Sequence, residues 1–350
     1  MTRVYLDHNA TTPLRPEARA AMLAALDVVG NPSSVHQEGR QAKALLEQAR
    51  AQVADLVGCA PSEVVFTSGA TEAARMLSQP HVLVDHTAHD ALRAHAGPDA
   101  PSHAQIVAMG LANSETGVIS PVPPRVEGKW VYGAQAADRL LLDITQAAGR
   151  VAFDFRASGA DFAILSAHKL GGPKGIGALI IRQGLDIGTL APGGGQEMGR
   201  RSGTENIAGI AGFGAAAAAA ARDIASGLWD EVEKLRKILE NTLAAGAKTT
   251  IFVGKDKPRL PNTSCFAAPG WKNETQVMQM DLAGFAISAG SACSSGKVRA
   301  STVLLAMGYD EETARCAIRV SLGLETTEAD VRRFADAWLE KEQKFRARAA

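Results

Sequence analysis

The sequence predicts an α/β fold in which a mainly parallel central sheet is sandwiched by helices, followed by a smaller α/β C-terminal domain. Short apolar runs alternate with helical patterns over most of the 350 residues, which is typical of parallel sheets covered by helices. Hydrophobic residues make up 46% and charged residues 21% of the chain, values that exclude a disordered protein. Glycine, at 34 residues, is abundant enough for many close backbone approaches.

Apolar periodicity predicts the helices and strands in chain order. The helices are predicted at residues 16–26, about 37–56, about 208–225, 228–245 and 328 to about 345. The run Asn31-Pro32-Ser33-Ser34 is predicted to cap the second helix. The seven alanines of residues 215–221 predict a closely packed helix rather than a membrane span. Strands are predicted at residues 64–66, 82–84, 106–109, 140–142, 162–165 and 177–181.

A glycine after the fourth predicted helix suggests where the chain divides. Gly246 is expected to be the C-cap of the helix at residues 228–245 and to mark a domain boundary. We therefore predict a large domain over residues 13–245 and a small domain formed by residues 1–12 plus 246–350.

Charge and cysteine content exclude several classes of protein. Lysine plus arginine and aspartate plus glutamate both number 37, so a protein that neutralises nucleic-acid phosphates is not expected. No apolar signal-peptide core follows Met1 and no apolar run is long enough to span a bilayer, so no membrane association is expected. The four cysteines form no C-x-x-C pair, which is typical of free thiols in a reducing compartment. We expect a cytoplasmic protein.

Two polar residues follow neighbouring predicted strands. Lys169 follows the strand at residues 162–165, and Asp143 ends the strand at residues 140–142. About one β-α-β crossover separates them, so both can reach the same edge of the sheet. A carboxylate beside a nucleophilic lysine is what pyridoxal phosphate requires, because the acid keeps the pyridine nitrogen protonated. A solvated loop lysine is the alternative interpretation.

A possible anion site lies after the first predicted strand of this domain. Ser68-Gly69-Ala70-Thr71-Glu72 opens a helix and would present backbone N–H groups and hydroxyls to a phosphate. An ordinary helix start is the alternative. The run is neither a Walker A loop nor G-x-G-x-x-G, so nucleotide binding is disfavoured.

One cysteine differs from the others in its surroundings. Cys293 lies within residues 288–296, a stretch of small and polar residues, and is predicted to be exposed and reactive. Cys59, Cys265 and Cys316 are predicted to be structural.

The sequence contains, in chain order, the segments Tyr5-Leu6-Asp7-His8-Asn9-Ala10-Thr11-Thr12-Pro13, Asn31-Pro32-Ser33-Ser34-Val35-His36, Phe66-Thr67-Ser68-Gly69-Ala70-Thr71-Glu72-Ala73, Asp143-Ile144-Thr145-Gln146-Ala147-Ala148-Gly149, residues 166–177, Gly193-Gly194-Gly195-Gln196-Glu197, Arg201-Ser202-Gly203-Thr204-Glu205-Asn206, residues 288–296 and Ile318-Arg319-Val320-Ser321-Leu322-Gly323. With these segments in this order, the chain resembles the cysteine desulfurases of the nitrogen-fixation and iron–sulfur type, within the class V aminotransferase group of pyridoxal-phosphate enzymes. The resemblance covers most of the chain.

The resemblance implies an aminotransferase-like fold of type I pyridoxal-phosphate enzymes and an L-cysteine desulfurase. Such an enzyme gives L-alanine and a persulfide on Cys293, whose sulfur passes to an iron–sulfur scaffold or a thiolation partner. It also implies a homodimer, because Thr204 matches a residue that reaches the cofactor phosphate of the neighbouring subunit.

The resemblance further implies roles for individual residues. Lys169 matches the lysine that binds the cofactor covalently and moves the substrate Cα proton. Asp143 matches the partner of the pyridine nitrogen, and Gln146 matches the side chain near the phenolic oxygen. The remaining matches are Ala70, Thr71, Ser166 and His168 for the phosphate, His89 for stacking on the cofactor ring and moving protons, with His86 as second choice, and Arg319 and Asn31 for the substrate carboxylate.

This chain departs from the family pattern in places. Ser114, in Asn113-Ser114-Glu115-Thr116-Gly117, stands where the family usually has an asparagine near the cofactor oxygen, and its hydroxyl has a shorter reach. The segments between Thr71 and Asn113 are shorter than usual. Two alternatives therefore stay open: a selenocysteine lyase or another class V enzyme, and a non-catalytic partner subunit. The histidines of residues 81–95 are not expected to bind a metal.

Overall fold

The computed structural model describes residues 3–78, 81–97, 104–290 and 300–349. The strands are β1 (Val4–Tyr5), β2 (Val64–Thr67), β3 (Val82–Val84), β4 (Ala104–Gly110), β5 (Arg125–Val126), β6 (Lys129–Tyr132), β7 (Gln135–Asp143), β8 (Phe162–Ser166), β9 (Gly177–Ile181), β10 (Ile251–Phe252), β11 (Thr263–Ala267), β12 (Phe285–Ala286), β13 (Ser288–Ala289) and β14 (Ala317–Ser321). The α-helices are α1 (Pro16–Leu26), α2 (Gln37–Val57), α3 (Ala70–Ala73), α4 (Asp90–Arg93), α5 (Phe155–Ser158), α6 (Ile207–Ala225), α7 (Leu228–Gly246), α8 (Asn273–Leu282), α9 (Thr302–Ala306), α10 (Glu311–Cys316) and α11 (Glu328–Ala349).

The chain forms two compact units. The larger unit consists of residues 12–111 and 121–226, and the smaller unit contains the N-terminal residues up to 11, residues 112–120 and the residues from 227 onward.

The larger unit is built on one sheet with the strand order β2-β9-β8-β7-β4-β3. Strand β9 runs antiparallel to β2 and β8, whereas β8, β7, β4 and β3 are mutually parallel. Within this strand order, every strand except β9 therefore has its carboxyl end at the same edge of the sheet. The predicted α/β fold with a mainly parallel sheet is confirmed, and each of the six predicted strands forms.

Long helices cover one face of this sheet. Phe213 of α6 packs edge-on against Phe66 of β2, with ring centroids 6.2 Å apart. Helix α6 lies so close to α2 that a Cβ atom on Gly214 would stand 2.5 Å from the Cα atom of Ala49. Helix α6 is also long and apolar enough to meet the criterion for a membrane span, but half of it is buried within the protein. It is therefore the closely packed core helix that the alanine run predicts.

The other face carries much shorter helices. Helices α3 and α4 have four residues each, and with neighbouring segments they cover an apolar layer that includes Val65, Ile106 and Leu141. The connection from β4 to β7 contains the β5–β6 hairpin, where a parallel crossover usually contains a helix. This hairpin is not among the predicted elements, and it is fixed by β6 pairing antiparallel with β7.

The smaller unit has its own sheet and core. Its four-stranded sheet has the order β10-β11-β14-β13, and β1 pairs with β12. Trp271 and Trp338 pack together in the core, with ring centroids 5.5 Å apart. Buried Gln276 accepts a hydrogen bond from the Trp338 indole (3.0 Å) and donates to the carbonyls of Trp271 (2.7 Å) and Cys316 (2.8 Å). This polar side chain is thus fully used in joining α8 to its neighbours.

The division of the chain differs from the predicted domains of residues 13–245 and residues 1–12 plus 246–350. Helix α7 buries Leu239 and Leu243 in the same core as Trp338, so residues 227–245 lie in the smaller unit, as do residues 112–120. Gly246 ends α7 without being its C-cap, which is Ala247. A Cβ atom on Gly246 would stand 2.7 Å from the side chain of Leu339, so glycine allows α7 to approach α11.

The cap of α2 also differs from the prediction. His36 is the N-cap, and its Nδ1 atom accepts a hydrogen bond from the backbone N–H of Gly39 (3.3 Å). Asn31 instead closes a local turn, accepting from the backbone N–H of Ser33 (2.9 Å). Asparagine serves both functions well, so the sequence alone did not separate them.

Candidate active site

Several of the predicted site residues of the larger unit lie at the edge where β2, β7 and β8 end. Gly177, the first residue of β9, pairs with Ser166 and with Thr67 at this edge. A Cβ atom on Gly177 would stand 2.6 Å from the Cα atom of Gly69 and 2.5 Å from the Leu165 carbonyl oxygen. Glycine at this position therefore lets the turn after β2 lie directly against the end of β8.

Lys169 lies at the end of a 3₁₀ turn, Ala167–Lys169, that follows β8 directly. Its carbonyl oxygen accepts hydrogen bonds from Thr12 Oγ1 (3.1 Å) and Arg150 Nη2 (3.0 Å). The Thr12 backbone N–H also donates to the His168 carbonyl (2.9 Å). The backbone of this turn is fixed from two sides, and the Lys169 side chain is half-buried.

Asp143 and Gln146 follow the neighbouring strand. Asp143 is the last residue of β7, pairs in register with Ile164 of β8 and is buried. Its Oδ1 atom accepts a hydrogen bond from the Thr145 backbone N–H (2.9 Å). Gln146 is also buried, and its side-chain oxygen accepts a hydrogen bond from Arg150. The structure thus places Asp143 and Lys169 at the ends of adjacent parallel strands, as their spacing predicts, and Gln146 three residues after Asp143.

In the turn between β2 and α3, two of the backbone N–H groups that were predicted to bind an anion donate to side chains of the protein instead. The Ala70 N–H donates to Ser166 Oγ (2.8 Å), and the Ser68 N–H donates to Glu72 Oε2 (2.8 Å). Because Ser166 Oγ accepts from Ala70, its own proton is left to donate elsewhere. Thr71 is exposed in the first turn of α3. The hydroxyls of Ser166 and Thr71 are therefore better candidates for a phosphate than the N–H of Ala70.

The electrostatic surroundings of His168 suit an anion. Burial, together with the positive charges of Lys169, Lys174 and Arg150, lowers the pKa of His168 to about 4. His168 is therefore neutral at pH 7 in the protein without cofactor. A neutral ring surrounded by three cations can hydrogen-bond a phosphate while the cations supply the opposite charge.

His89 is the N-cap of α4. Its Nδ1 atom accepts a hydrogen bond from the Ala91 backbone N–H (3.1 Å), and its side chain is half-buried. In this geometry the proton of the neutral ring is on Nε2. His86, the second choice, is exposed.

This set of side chains fits pyridoxal phosphate, the cofactor that the resemblance implies. It offers a buried carboxylate for a cationic ring nitrogen, an amine for the aldehyde carbon, and hydroxyls with nearby cations for the phosphate. The Thr145 hydroxyl, two residues after Asp143, is buried and has no hydrogen-bond partner within the described chain. An orphaned hydroxyl beside the proposed ring position leaves a donor or acceptor for a bound group.

Arg319 lies in the smaller unit, on β14, and its side chain is 3% exposed. Its Nη2 atom donates to Asp7 Oδ1 (2.7 Å) and its Nη1 atom to the Ser114 carbonyl (2.9 Å). Ser288, which faces Arg319 across the β13–β14 pair, donates to Asp7 Oδ2 (2.7 Å). The buried Nε atom of Arg319 has no hydrogen-bond partner in the described residues. The guanidinium is thus held at two of its three nitrogens, and these two contacts use two of its five N–H donors.

The other predicted residues differ in their surroundings. Asn31 and Thr204 are exposed on the larger unit. Ser114 is half-buried in the smaller unit, where its carbonyl also accepts from Asn9 Nδ2 (3.1 Å). Cys293 lies outside the described residues.

The three described cysteines are structural, as predicted. Cys59, Cys265 and Cys316 are free and buried. Burial raises the pKa of the Cys59 thiol to about 12 and also raises the pKa values of Cys265 and Cys316. None of these three thiols is a thiolate at neutral pH.

Sequence reasoning missed two residues in these networks. Arg150 contacts both the Gln146 and Lys169 turns, and Asp7 holds Arg319 from a position 312 residues earlier in the chain. Asp7 belongs to the N-terminal block that carries the resemblance, which was a usable signal. Arg150 directly follows the Asp143–Gly149 block and carried no signal of its own.

Comparisons with known proteins identify the family of this chain. The family described as aminotransferase class-V matches residues 4–91 and 98–334. A cysteine desulfurase of Frankia sp. (strain EuIK1) is 39% identical, over 95% of this chain and 90% of its own length. Another from Cereibacter sphaeroides is 38% identical, over 96% and 95%. Among solved structures, a NifS-like protein has a TM-score of 0.85 at 29% identity, covering 98% of this chain and 100% of its own. A NifS-like protein from Rickettsia africae ESF-5 has a TM-score of 0.84 at 30% identity, covering 98% and 99%.

Proposed function

Because the chain belongs to the class V aminotransferases and is a pyridoxal-phosphate-dependent cysteine desulfurase, we propose that it transfers the sulfur of L-cysteine through a persulfide on Cys293 to an acceptor protein. The observation that carries the assignment of residues is the position of Lys169 and Asp143 after adjacent parallel strands, at the edge that also bears Ser166. Class V enzymes need this pair of groups on one cofactor.

The residues of the larger unit would hold the cofactor. When bound, pyridoxal phosphate withdraws electrons from the substrate Cα atom. Asp143 would hold the proton of the ring nitrogen, and Gln146 would donate to the phenolic oxygen. Ser166, Thr71 and His168 would bind the phosphate. The Ala70 N–H, which was also predicted to bind it, already donates to Ser166 Oγ.

Two residues would move protons. Lys169, with its backbone fixed by Thr12 and Arg150, would take the proton from the substrate Cα. His89 would offer Nε2–H, because its Nδ1 atom is occupied by the cap of α4.

The sulfur transfer assigned to Cys293 needs no reactant other than L-cysteine and the Cys293 thiol. The Cys293 thiolate attacks the sulfur of L-cysteine, an S–S bond forms and the substrate C–S bond breaks. The electron pair of the broken bond stays with the substrate carbon, which takes up a proton. L-Cysteine and one thiol thereby give L-alanine and one persulfide.

Arg319 would hold the substrate carboxylate, as the resemblance implies. We expect Arg319→Lys to raise the KM for L-cysteine about tenfold or more with a smaller change in kcat, because lysine keeps the charge but loses the planar fork. Steady-state kinetics at pH 8 would measure both constants. Arg315→Lys is the matched control, since Arg315 is exposed and pairs with Glu311. An unchanged KM for L-cysteine in Arg319→Lys would contradict a role of Arg319 in substrate binding.

The proposal also covers the acceptor of the sulfur, the oligomeric state of the protein and its cellular compartment. A thiolate of an iron–sulfur scaffold or thiolation partner would attack the outer sulfur of the persulfide, releasing Cys293. Exposed apolar side chains at Leu26, Val29 and Val35, together with exposed Thr204, support a homodimer. The free thiols of the described cysteines support a reducing compartment such as the cytoplasm.

The function is tested by product analysis of the cofactor-loaded protein with L-cysteine and a reducing thiol. We expect alanine and sulfide in equal amounts, because each turnover releases one of each once the persulfide is reduced. Release from L-selenocysteine alone would favour a selenocysteine lyase. A yellow protein that releases neither product from either amino acid would contradict the proposal.

A further inference from the structure

We propose that the buried ion pair between Glu197 and Arg50 positions Thr204 for the neighbouring subunit: it fixes the loop of residues 193–206, which presents Thr204 to the cofactor phosphate of that subunit. This inference rests on the proposed homodimer, in which Thr204 reaches across to the other chain. It gives a function to two buried charges that the resemblance leaves without one.

The ion pair is bidentate and closed to solvent. The side chains of Arg50, on α2, and Glu197, in the loop, are 7% and 2% exposed. Arg50 Nη1 and Nη2 donate to Glu197 Oε2 (2.8 Å) and Oε1 (2.9 Å), respectively. Arg50 Nη1 also donates to the Val64 carbonyl (2.7 Å), and Glu197 Oε2 accepts from the Phe66 backbone N–H (2.9 Å). The pair therefore attaches the loop to both α2 and β2.

The backbone at this attachment needs support. Glu197 and Met198 have φ angles of 49° and 57°, in the left-handed region that residues other than glycine seldom adopt. Such a conformation persists only where the surrounding structure fixes it. The Met198 side chain is exposed, so its own packing does not fix the turn. The buried carboxylate of Glu197 supplies the fixation.

A short series of contacts connects this attachment to Thr204. Gln196 directly precedes the buried glutamate, and its Oε1 atom accepts a hydrogen bond from the Gly203 backbone N–H (3.1 Å). Gly203 directly precedes Thr204, and Asn206 is the N-cap of α6. The chain is thus held on both sides of Thr204, which is itself exposed. An exposed side chain on a fixed backbone is what a contact with another subunit requires.

A separate contact joins the loop to the turn between β2 and α3 of its own chain. Arg201 Nε donates to Glu72 Oε1 (3.0 Å), and Glu72 Oε2 accepts from the Ser68 backbone N–H (2.8 Å). The loop therefore touches the phosphate turn of its own chain as well. An effect of the ion pair on its own chain's cofactor is the alternative that an experiment has to exclude.

The first test measures how fast the holoenzyme loses pyridoxal phosphate during dialysis, from its absorbance and without L-cysteine. We expect Glu197→Gln and Thr204→Ala each to lose it about five times faster or more, because in both variants a positioned donor to the phosphate is lost. If Glu197 acts through Thr204, the double variant should lose it little faster than Thr204→Ala. An unchanged rate in Glu197→Gln or Thr204→Ala, or additive effects, would overturn the proposal.

The matched control is Glu240→Gln. Glu240 forms a comparable bidentate pair with Arg259 (2.8 and 3.0 Å), but in the smaller unit. We expect this variant to lose the cofactor at the native rate. Equally fast loss in Glu240→Gln would mean that breaking any buried ion pair has this effect, and would also overturn the proposal.

Mixed dimers of two differently tagged, co-expressed chains show on which chain the ion pair acts. One chain carries Lys169→Ala, so covalently attached cofactor reports only the site of the other chain. With Glu197→Gln on the Lys169→Ala chain we expect fast loss of this cofactor, and with Glu197→Gln on the other chain we expect the native rate. Fast loss in the second arrangement would overturn the proposal.

A second variant keeps the test decisive if circular dichroism shows that Glu197→Gln does not fold. Gln196→Ala removes the contact with Gly203 and leaves the ion pair in place, so it should give the same result in the mixed dimers. A native rate with Gln196→Ala on the Lys169→Ala chain would overturn the proposal. Size-exclusion chromatography tests the dimer itself: a monomeric native protein would overturn this inference, whereas the reaction with L-cysteine is measured separately by its products.

Discussion

Replacing Lys169 with alanine is expected to lower alanine formation from L-cysteine by about 10²- to 10⁴-fold, the usual contribution of a positioned acid–base group. The side chains of Thr12 and Arg150 donate hydrogen bonds to the Lys169 carbonyl, so the backbone that carries the lysine is fixed at the end of β8. The variant should also lose the covalent attachment of the cofactor. Borohydride treatment followed by mass spectrometry would fix the cofactor to the native chain and not to Lys169→Ala.

The matched control is Lys174→Ala. Lys174 is exposed on the same turn, and its charge also lowers the pKa of His168, so it contributes to the same electrostatic field. We expect it to keep covalent attachment and most of the activity. Equal losses in both variants would mean that local charge, rather than the Lys169 amine, is what the reaction needs.

Replacing Cys293 with alanine is expected to abolish persulfide formation and to lower alanine release by about 10²-fold or more, because the nucleophile that accepts sulfur is lost. Cofactor binding should be unchanged, since the residues proposed to hold the cofactor belong to the larger unit. The persulfide would be measured by mass spectrometry after brief exposure to L-cysteine. The absorbance change on adding L-cysteine should persist.

Cys59→Ala is the control for this experiment. The Cys59 thiol is buried and its pKa is raised to about 12, so it should neither form a persulfide nor affect turnover. The same reasoning predicts that iodoacetamide at pH 7.5 alkylates Cys293 before any other cysteine of the native protein. Sulfur transfer retained in Cys293→Ala would exclude Cys293 as the carrier.

Much of the fold could be predicted because its signals are local. The predicted helix at residues 16–26 and strand at residues 177–181 coincide with α1 and β9, since apolar spacing and flanking Pro or Gly residues define both. The β5–β6 hairpin could not be predicted, because its stability depends on pairing with β7 and on the Trp130–Asp161 hydrogen bond (3.0 Å). The compact units differ from the predicted domains for the same reason: the burial of Leu239 and Leu243 against Trp338 depends on a helix far along the chain.

The candidate site also contains features that could be predicted from the sequence and features that could not. Lys169 and Asp143 could be predicted to share an edge, because residues that follow neighbouring parallel strands must end there. The use of the Ala70 N–H by Ser166 could not, since 96 residues separate the partners. Similarly, no local pattern shows that Asp7 holds Arg319.

The burial of Cys59, Cys265 and Cys316 has a consequence for the kinetics of sulfur delivery. With these thiols inaccessible, we expect each chain to carry a single sulfur, on Cys293. Without acceptor or reductant, turnover should stop after a burst of one alanine per active chain. In steady state we expect a ping-pong sequence, in which the next L-cysteine reacts only after the persulfide has been discharged. The acceptor would then control the flux of sulfur as well as its destination.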